Sequence, residues 1–153
     1  MAETIKTEEF PSLVGKDLET SEWFEITQER VNQFADATND HQFIHVDPER
    51  ARQTPFGGPI AHGFLSLSLL SYLNRLNAVL PENLLVAINY GSDKVRYLAP
   101  VAVGKRVRSR QKILAVDEKR PGQWLVRTAV TVDIEGETTP ALIAEILTMY
   151  VVG

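Results

Sequence analysis

Cysteine is absent from the 153 residues. That absence removes disulfide scaffolds, thiolate nucleophiles and cysteine-based zinc sites together, and it suits a reducing, cytoplasmic setting. Basic residues are in the minority: 16 Lys+Arg stand against 20 Asp+Glu, a formal net charge of −4. A nucleic-acid module draws its affinity from neutralising phosphates, so this balance argues against one. Nor is there a long unbroken hydrophobic run. The most apolar stretch, Phe64 to Leu80, contains Ser66, Ser68, Ser71, Asn74, Arg75 and Asn77, whereas a membrane span needs about 20 mostly apolar residues. Residues Met1 to Pro11 include Glu3, Glu8 and Glu9 and do not read as a secretion signal.

What is present is ordinary globular material, 44% hydrophobic and 24% charged, in a length that suits one domain over residues 1–153. No internal repeat or low-complexity linker divides it. The first half reads as loops and helices. Trp23 to Ile26 reads as a short strand, and Thr27 is placed to cap a helix running to about Ala37, with Val31, Phe34 and Ala35 on one face. Asn39-Asp40 ends that pattern, and Asp47-Pro48 opens another short helix with Asp as cap and Pro in the first turn. A loop with Pro55, Gly57, Gly58 and Pro59 leads to His62-Gly63 and a long helix through about Leu80. Its apolar residues point in nearly every direction, so it is expected to be enclosed.

The second half reads as strands over Leu84 to Tyr90, Lys94 to Leu98, Arg106 to Val116, Gln123 to Ile134 and Ala141 to Val151. Between Trp124 and Ile134 inward and outward residues alternate with period two, the pattern of a sheet with one face covered. The simplest architecture is α+β, an antiparallel sheet curled around one long central helix.

The three histidines, His41, His45 and His62, share one region with Asp36, Asp40 and Asp47. On a regular helix Asp40 and His45 would point about 140° apart, so they meet only if the intervening segment is irregular. If they meet, a carboxylate and an imidazole beside the apolar Phe43 and Ile44 can act together on one water. Spacing alone equally accommodates Asp40 capping a turn and His45 as an ordinary loop histidine. His41 and His45 with His62 would make a zinc site only on a helix, and the spacing matches no zinc signature, so no metal is expected. A serine hydrolase lacks its G-x-S-x-G elbow. Gly63, at the start of the long helix, either lets a ligand oxygen approach unpaired backbone N–H groups or merely permits a tight turn.

The stretch from Phe34 through Asp40 and His45 to Pro48, followed by Phe56-Gly-Gly-Pro-Ile-Ala-His62-Gly63-Phe64, resembles the MaoC-like dehydratases, the (R)-specific enoyl-CoA hydratase family, and within it the NodN-like subgroup. Asn89-Tyr90-Gly91 and Lys94 to Gly104 also match that group's strand pattern, and the resemblance covers roughly residues 20–150. The family has the hot-dog fold, a curved antiparallel sheet wrapped around a long helix. In its hydratase motif Asp40 and His45 take the acidic and histidine positions, while Gln42 and Phe43 stand where Asn and Pro are usual. The family's helix serine falls on Ser68.

The resemblance implies reversible hydration of a trans-2-enoyl thioester to an (R)-3-hydroxyacyl thioester. Asp40 and His45 would activate a water, Gly63 would supply an oxyanion N–H, and Ser68 and Gln42 would contact substrate or water. It implies no metal or redox cofactor, a CoA or acyl-carrier-protein thioester as substrate, and a homodimer. Lys94, Arg96, Arg106, Arg108 and Arg110 read more simply as a solvated face than as a phosphate site. Two other functions fit the same fold, a thioesterase or a non-catalytic acyl-thioester-binding subunit. The first is disfavoured because no Asp or Glu lies between Phe64 and Leu80.

Overall fold

The computed structural model describes residues 2–153. Its main sheet has five antiparallel strands in the order β2-β5-β6-β7-β4. These are β2 (Phe24–Glu25), β4 (Leu84–Tyr97), β5 (Arg106–Arg120), β6 (Gln123–Ile134) and β7 (Leu142–Val152). A small parallel pair joins β1 (Glu3–Ile5) to β3 (Val79–Pro81), and a 3-10 turn over Thr7–Leu13 lies between β1 and β2. The helices are α1 (Gln28–Thr38), α2 (Phe43–Val46), α3 (Pro48–Ala51), α4 (Gly63–Ser68) and α5 (Leu70–Leu76). This is the hot-dog arrangement: a curled sheet holding α4 and α5 against its inner face.

The local signals explain most boundaries. The Thr27 hydroxyl accepts the Arg30 N–H at 3.1 Å and opens α1, and Asn39 closes it in the left-handed conformation at φ 57°. Asp47 caps α3 by accepting the Arg50 N–H at 3.1 Å. Pro121-Gly122 makes the two-residue turn from β5 to β6, and Gly122 sits at φ +77°, a conformation that favours glycine. The alternation along β6 puts Val130, Val132 and Ile134 in the core with Leu65, Leu69, Leu70 and Leu73 from the helices, and Val126 in a second cluster with Phe10, Leu13 and Ile113.

Three expectations change. The long helix is shorter than the hydrophobic run: it breaks between α4 and α5 at Leu69 and ends at Leu76. Pro81 lacks the N–H that a helix would use and holds Leu80 extended, so residues 79–81 form β3 instead. The helix is also not fully enclosed, since Phe64 is 72% and Tyr72 44% exposed. Finally, the two strands read around Gly91 are one strand, β4, which absorbs the break through register shifts at Asn89/Gly91 and Asp93/Arg96, with Lys94 at positive φ.

Candidate active site

His45 lies in the single turn of α2, and it is buried, being only 7% exposed. Its Nδ1 lies 2.7 Å from the Ile60 carbonyl, which can only accept, so Nδ1 carries the proton. Nε2 is therefore the basic nitrogen when the ring is neutral. Burial is the chief reason the His45 pKa lies below its usual 6.5, and neighbouring His62 lowers it further; the Ile60 bond and the Asp40 charge act the other way. The net result favours the neutral, proton-accepting ring near pH 7.

Asp40 sits just past the end of α1, in the loop leading to α2, its side chain half exposed. A carboxylate oxygen of Asp40 and ring nitrogens of His45 and His62 lie within 4.8 Å of one another. Two hydrogen bonds of ~2.8 Å meeting at a roughly tetrahedral water oxygen span about 4.6 Å, so a single water bridges such a gap. The Asp40–His45 pair that spacing left open is thus brought together, because the turn at Asn39 and the one-turn α2 fold the chain back.

His62 does more than the sequence reading allowed. Its ring is stacked on His45 with centroids 3.8 Å apart and planes 24° apart, and its other side faces Phe34 at 4.9 Å. Its Nε2 donates to the Asp40 main-chain carbonyl at 3.0 Å. His62 thereby fixes both the plane of His45 and the loop that carries Asp40. Because the two rings are nearly parallel, their in-plane lone pairs run side by side rather than converge, which is not the arrangement of a tetrahedral cation site. His41 is elsewhere, exposed and 2.8 Å from Asp36, so the suggested His41-His45-His62 grouping does not form.

A cleft of about 430 Å³ opens beside His45, walled by Phe56, Ile60, Gly63, Ser66, Tyr97 and Leu98 among others. Gly63 is the first residue of α4, and the Tyr97 ring packs so closely that a Cβ at position 63 would lie 2.9 Å from Tyr97 Cε1. Ser66 is buried and faces the cleft. Ser68 does not line it, and its hydroxyl donates to the Leu65 carbonyl at 3.0 Å. Helical spacing carries that signal: Ser66, three residues after Gly63, shares its side of the helix, whereas Ser68 is turned about 140° away. Gln42 is exposed, and its contribution is from the main chain, its N–H reaching Asp40 Oδ1 at 3.4 Å and its carbonyl accepting the His45 N–H at 3.0 Å. The basic residues of β4 and β5 form surface ion pairs, Lys94 with Glu145, Arg106 with Glu135, and Arg108 and Arg110 with Asp133.

The MaoC-like domain model matches residues 9–136. The chain belongs to the MaoC-like dehydratase family. It is 47% identical over 137 residues to 3-hydroxyacyl-thioester dehydratase Z of Mycobacterium tuberculosis, covering 90% of each chain. It is 49% identical over 141 residues to nodulation protein N of Rhizobium leguminosarum bv. viciae, covering 91% of this chain and 87% of that one. Among solved structures, the (R)-hydratase of A. caviae superposes with a TM-score of 0.72 at 26% identity, over 88% of this chain and 94% of that one. In this MaoC-like protein Gln42 and Phe43 lie in the segment between Asp40 and His45. No helix among the described residues is long and apolar enough to cross a membrane.

A pH dependence follows from the buried imidazole. If His45 acts as a neutral base, kcat/KM stays level as pH falls through 6.5 and declines only below the lowered His45 pKa. Stability moves in the same direction. Between that lowered pKa and 6.5 the unfolded chain binds more protons than the native one, so the native state loses stability as pH falls through this window and keeps it above 6.5. A kcat/KM profile and a thermal melt series from pH 8 to 4 measure both effects. An activity midpoint above 6.5 would contradict the assignment.

Proposed function

We propose that this protein catalyses the reversible hydration of a trans-2-enoyl thioester to an (R)-3-hydroxyacyl thioester. The observation carrying this reading is the locked tautomer of His45, which leaves Nε2 basic in a ring that has a nitrogen within water-bridging distance of the Asp40 carboxylate. In the hydration direction, one water is held between Asp40 and His45. Nε2 takes a proton from the water as its oxygen bonds to C3, and the electron pair of the C2–C3 double bond moves onto the thioester as an enolate. A proton then returns to C2 from the same side of the site, which balances the step as addition of H and OH.

The first N–H groups of α4 lack intrahelical partners, and Gly63 and Phe64 line the cleft, so these groups suit the thioester oxygen as it gains charge. One such donor is typically worth about 3 kcal/mol in the transition state. The apolar cleft wall shields this charge from bulk water. Ser66, which faces the cleft, takes the substrate-contacting role that the sequence reading gave to Ser68. No metal or redox cofactor enters the step, because the thioester itself acidifies C2. The (R) outcome and the thioester substrate rest on the similarity to 3-hydroxyacyl-thioester dehydratase Z and to the A. caviae (R)-hydratase.

The test is direct. Purified protein given crotonyl-CoA is expected to consume the conjugated enoyl absorbance and form (R)-3-hydroxybutyryl-CoA on chiral analysis. Release of free CoA would point to a thioesterase, and no reaction with crotonyl-CoA or longer enoyl thioesters would point to a binding subunit.

The proposal includes a homodimer. Strand β4 pairs with β7 on one side only and leaves 14 residues of edge, with Leu85 70% and Tyr90 61% exposed. A long apolar edge of this kind pairs with another chain unless it is blunted. Leu85→Lys combined with Tyr90→Lys is expected to convert a sedimenting dimer into a folded monomer. A wild-type monomer at tens of micromolar would remove the dimer from the proposal.

A further inference from the structure

One buried titratable side chain, His62, takes no part in the proton transfers of hydration, yet it borders the groups that do. It is only 3% exposed and forms the cap residue of α4, immediately before Gly63. Its main-chain carbonyl accepts the N–H groups of Leu65 and Ser66 at 3.1 and 3.2 Å, which opens the helix. Its ring is the middle of a column of three, between Phe34 of α1 and His45 of α2. Its Nε2 lies 3.0 Å from the Asp40 carbonyl and 4.0 Å from the Asp40 carboxylate. One residue thus joins the acid, the base and the start of α4.

This arrangement carries a cost. The Asp40 carbonyl only accepts, so Nε2 of His62 holds the proton and Nδ1 is left as an acceptor. Nδ1 is buried with no hydrogen-bond partner. An unpaired buried nitrogen destabilises a fold, so packing alone would favour phenylalanine or leucine here. What the imidazole adds over either is one donor aimed at the Asp40 main chain. Asp40 depends on that donor, because its carboxylate is half exposed and makes only long contacts. Its place is set instead by its main chain, whose N–H donates to the Ala35 carbonyl at 3.2 Å and whose carbonyl accepts from His62. We propose that His62 is a positioning residue of the hydration reaction, holding the Asp40 carboxylate and the His45 base in fixed register with the start of α4 while the proton moves. The inference rests on the hydration reading of this site and assigns one further residue to it.

Three substitutions separate the two side-chain contacts. His62→Gln keeps a donor and loses the ring, His62→Phe keeps the ring and loses the donor, and His62→Leu loses both. With crotonyl-CoA, kcat is expected to fall about 100-fold in His62→Leu and about tenfold in each of the others, with KM within about twofold of wild type. A residue that acts through Asp40 has little left to do once the carboxylate is gone. His62→Phe in an Asp40→Asn background is therefore expected to cost about threefold or less. Titration of His45 is the second readout. Asp40 and His62 bear on it by charge, and Tyr97 lines the same cleft. His62 acts to lower the His45 pKa, so in His62→Gln the acid midpoint of kcat/KM is expected to move up toward 6.5.

A residue that only stabilises the fold would change the melting temperature and leave kcat, KM and the midpoint as they are. That result overturns the inference, as does a His62→Phe loss equally large in the wild-type and Asp40→Asn backgrounds. Where His62→Leu does not fold, the glutamine and phenylalanine variants decide. If wild-type protein does not hydrate crotonyl-CoA, the hydration reading itself fails. Nitrogen-15 NMR of the His45 ring in wild type and His62→Gln then decides the positioning role separately. A shifted titration or a mixed tautomer supports it, and an unchanged ring overturns it.

Discussion

Asp40→Asn and His45→Gln are each expected to lower kcat for crotonyl-CoA hydration by about 10²–10⁴-fold, the usual contribution of a positioned acid or base. KM is expected to change little, because both groups act on the water rather than on the bound thioester. The two variants differ in stability. Asp40 is half exposed and its side chain makes two long contacts, 3.4 Å to the Gln42 N–H and 4.0 Å to His62 Nε2, so Asp40→Asn is expected to leave the melting temperature within a degree or two of wild type. His45 is buried, bonded to Ile60 and stacked on His62, so His45→Gln is expected to lower the melting temperature as well as the rate. Steady-state kinetics with thermal melts on the same preparations measure both. Wild-type turnover in either folded variant would remove the Asp–His mechanism.

Gly63→Ala is expected to lower kcat/KM by about 10²-fold while the protein stays folded, since small misplacements within a reactive site have effects of that size. The added methyl would lie 2.9 Å from Tyr97 Cε1 and 3.1 Å from Cδ1 and Cζ, closer than carbon atoms settle. Tyr97 is 49% exposed, so its ring has room to swing outward, and doing so removes one wall of the cleft. The backbone N–H at position 63 survives the substitution, so the loss reports the shape of the site rather than the loss of a donor. Gly63→Ala with Tyr97→Ala is expected to recover part of the activity, because the clash is gone even though the wall is shorter. A fully active single variant would show that the Tyr97–Gly63 contact does not shape the substrate site.

The elements whose cause is local were legible in the sequence. Thr27, Asn39, Asp47-Pro48 and Pro121-Gly122 set their turns and caps through neighbouring backbone groups, and they appear where the residue types place them. The period-two pattern of β6 likewise fixed which residues face the helix. Bulges are less visible. The chain passes Gly91 and Lys94 within one strand, because pairing with β7 outweighs the local break that those residues signal. At the site, helical spacing already puts Ser66 rather than Ser68 on the side of the helix that Gly63 presents to the cleft.

Sequence alone determined the inventory: an α+β sheet-and-helix protein without thiol chemistry, with Asp40, His45 and Gly63 as its candidate site residues. The tertiary structure decided how they are arranged. The Ile60 carbonyl selects the His45 tautomer from 15 residues away, and His62 reaches the Asp40 main chain across 22. Neither contact leaves a periodic trace, because each depends on where a loop returns rather than on what its neighbours are. The exposed β4 edge is of the same kind, produced by strand order.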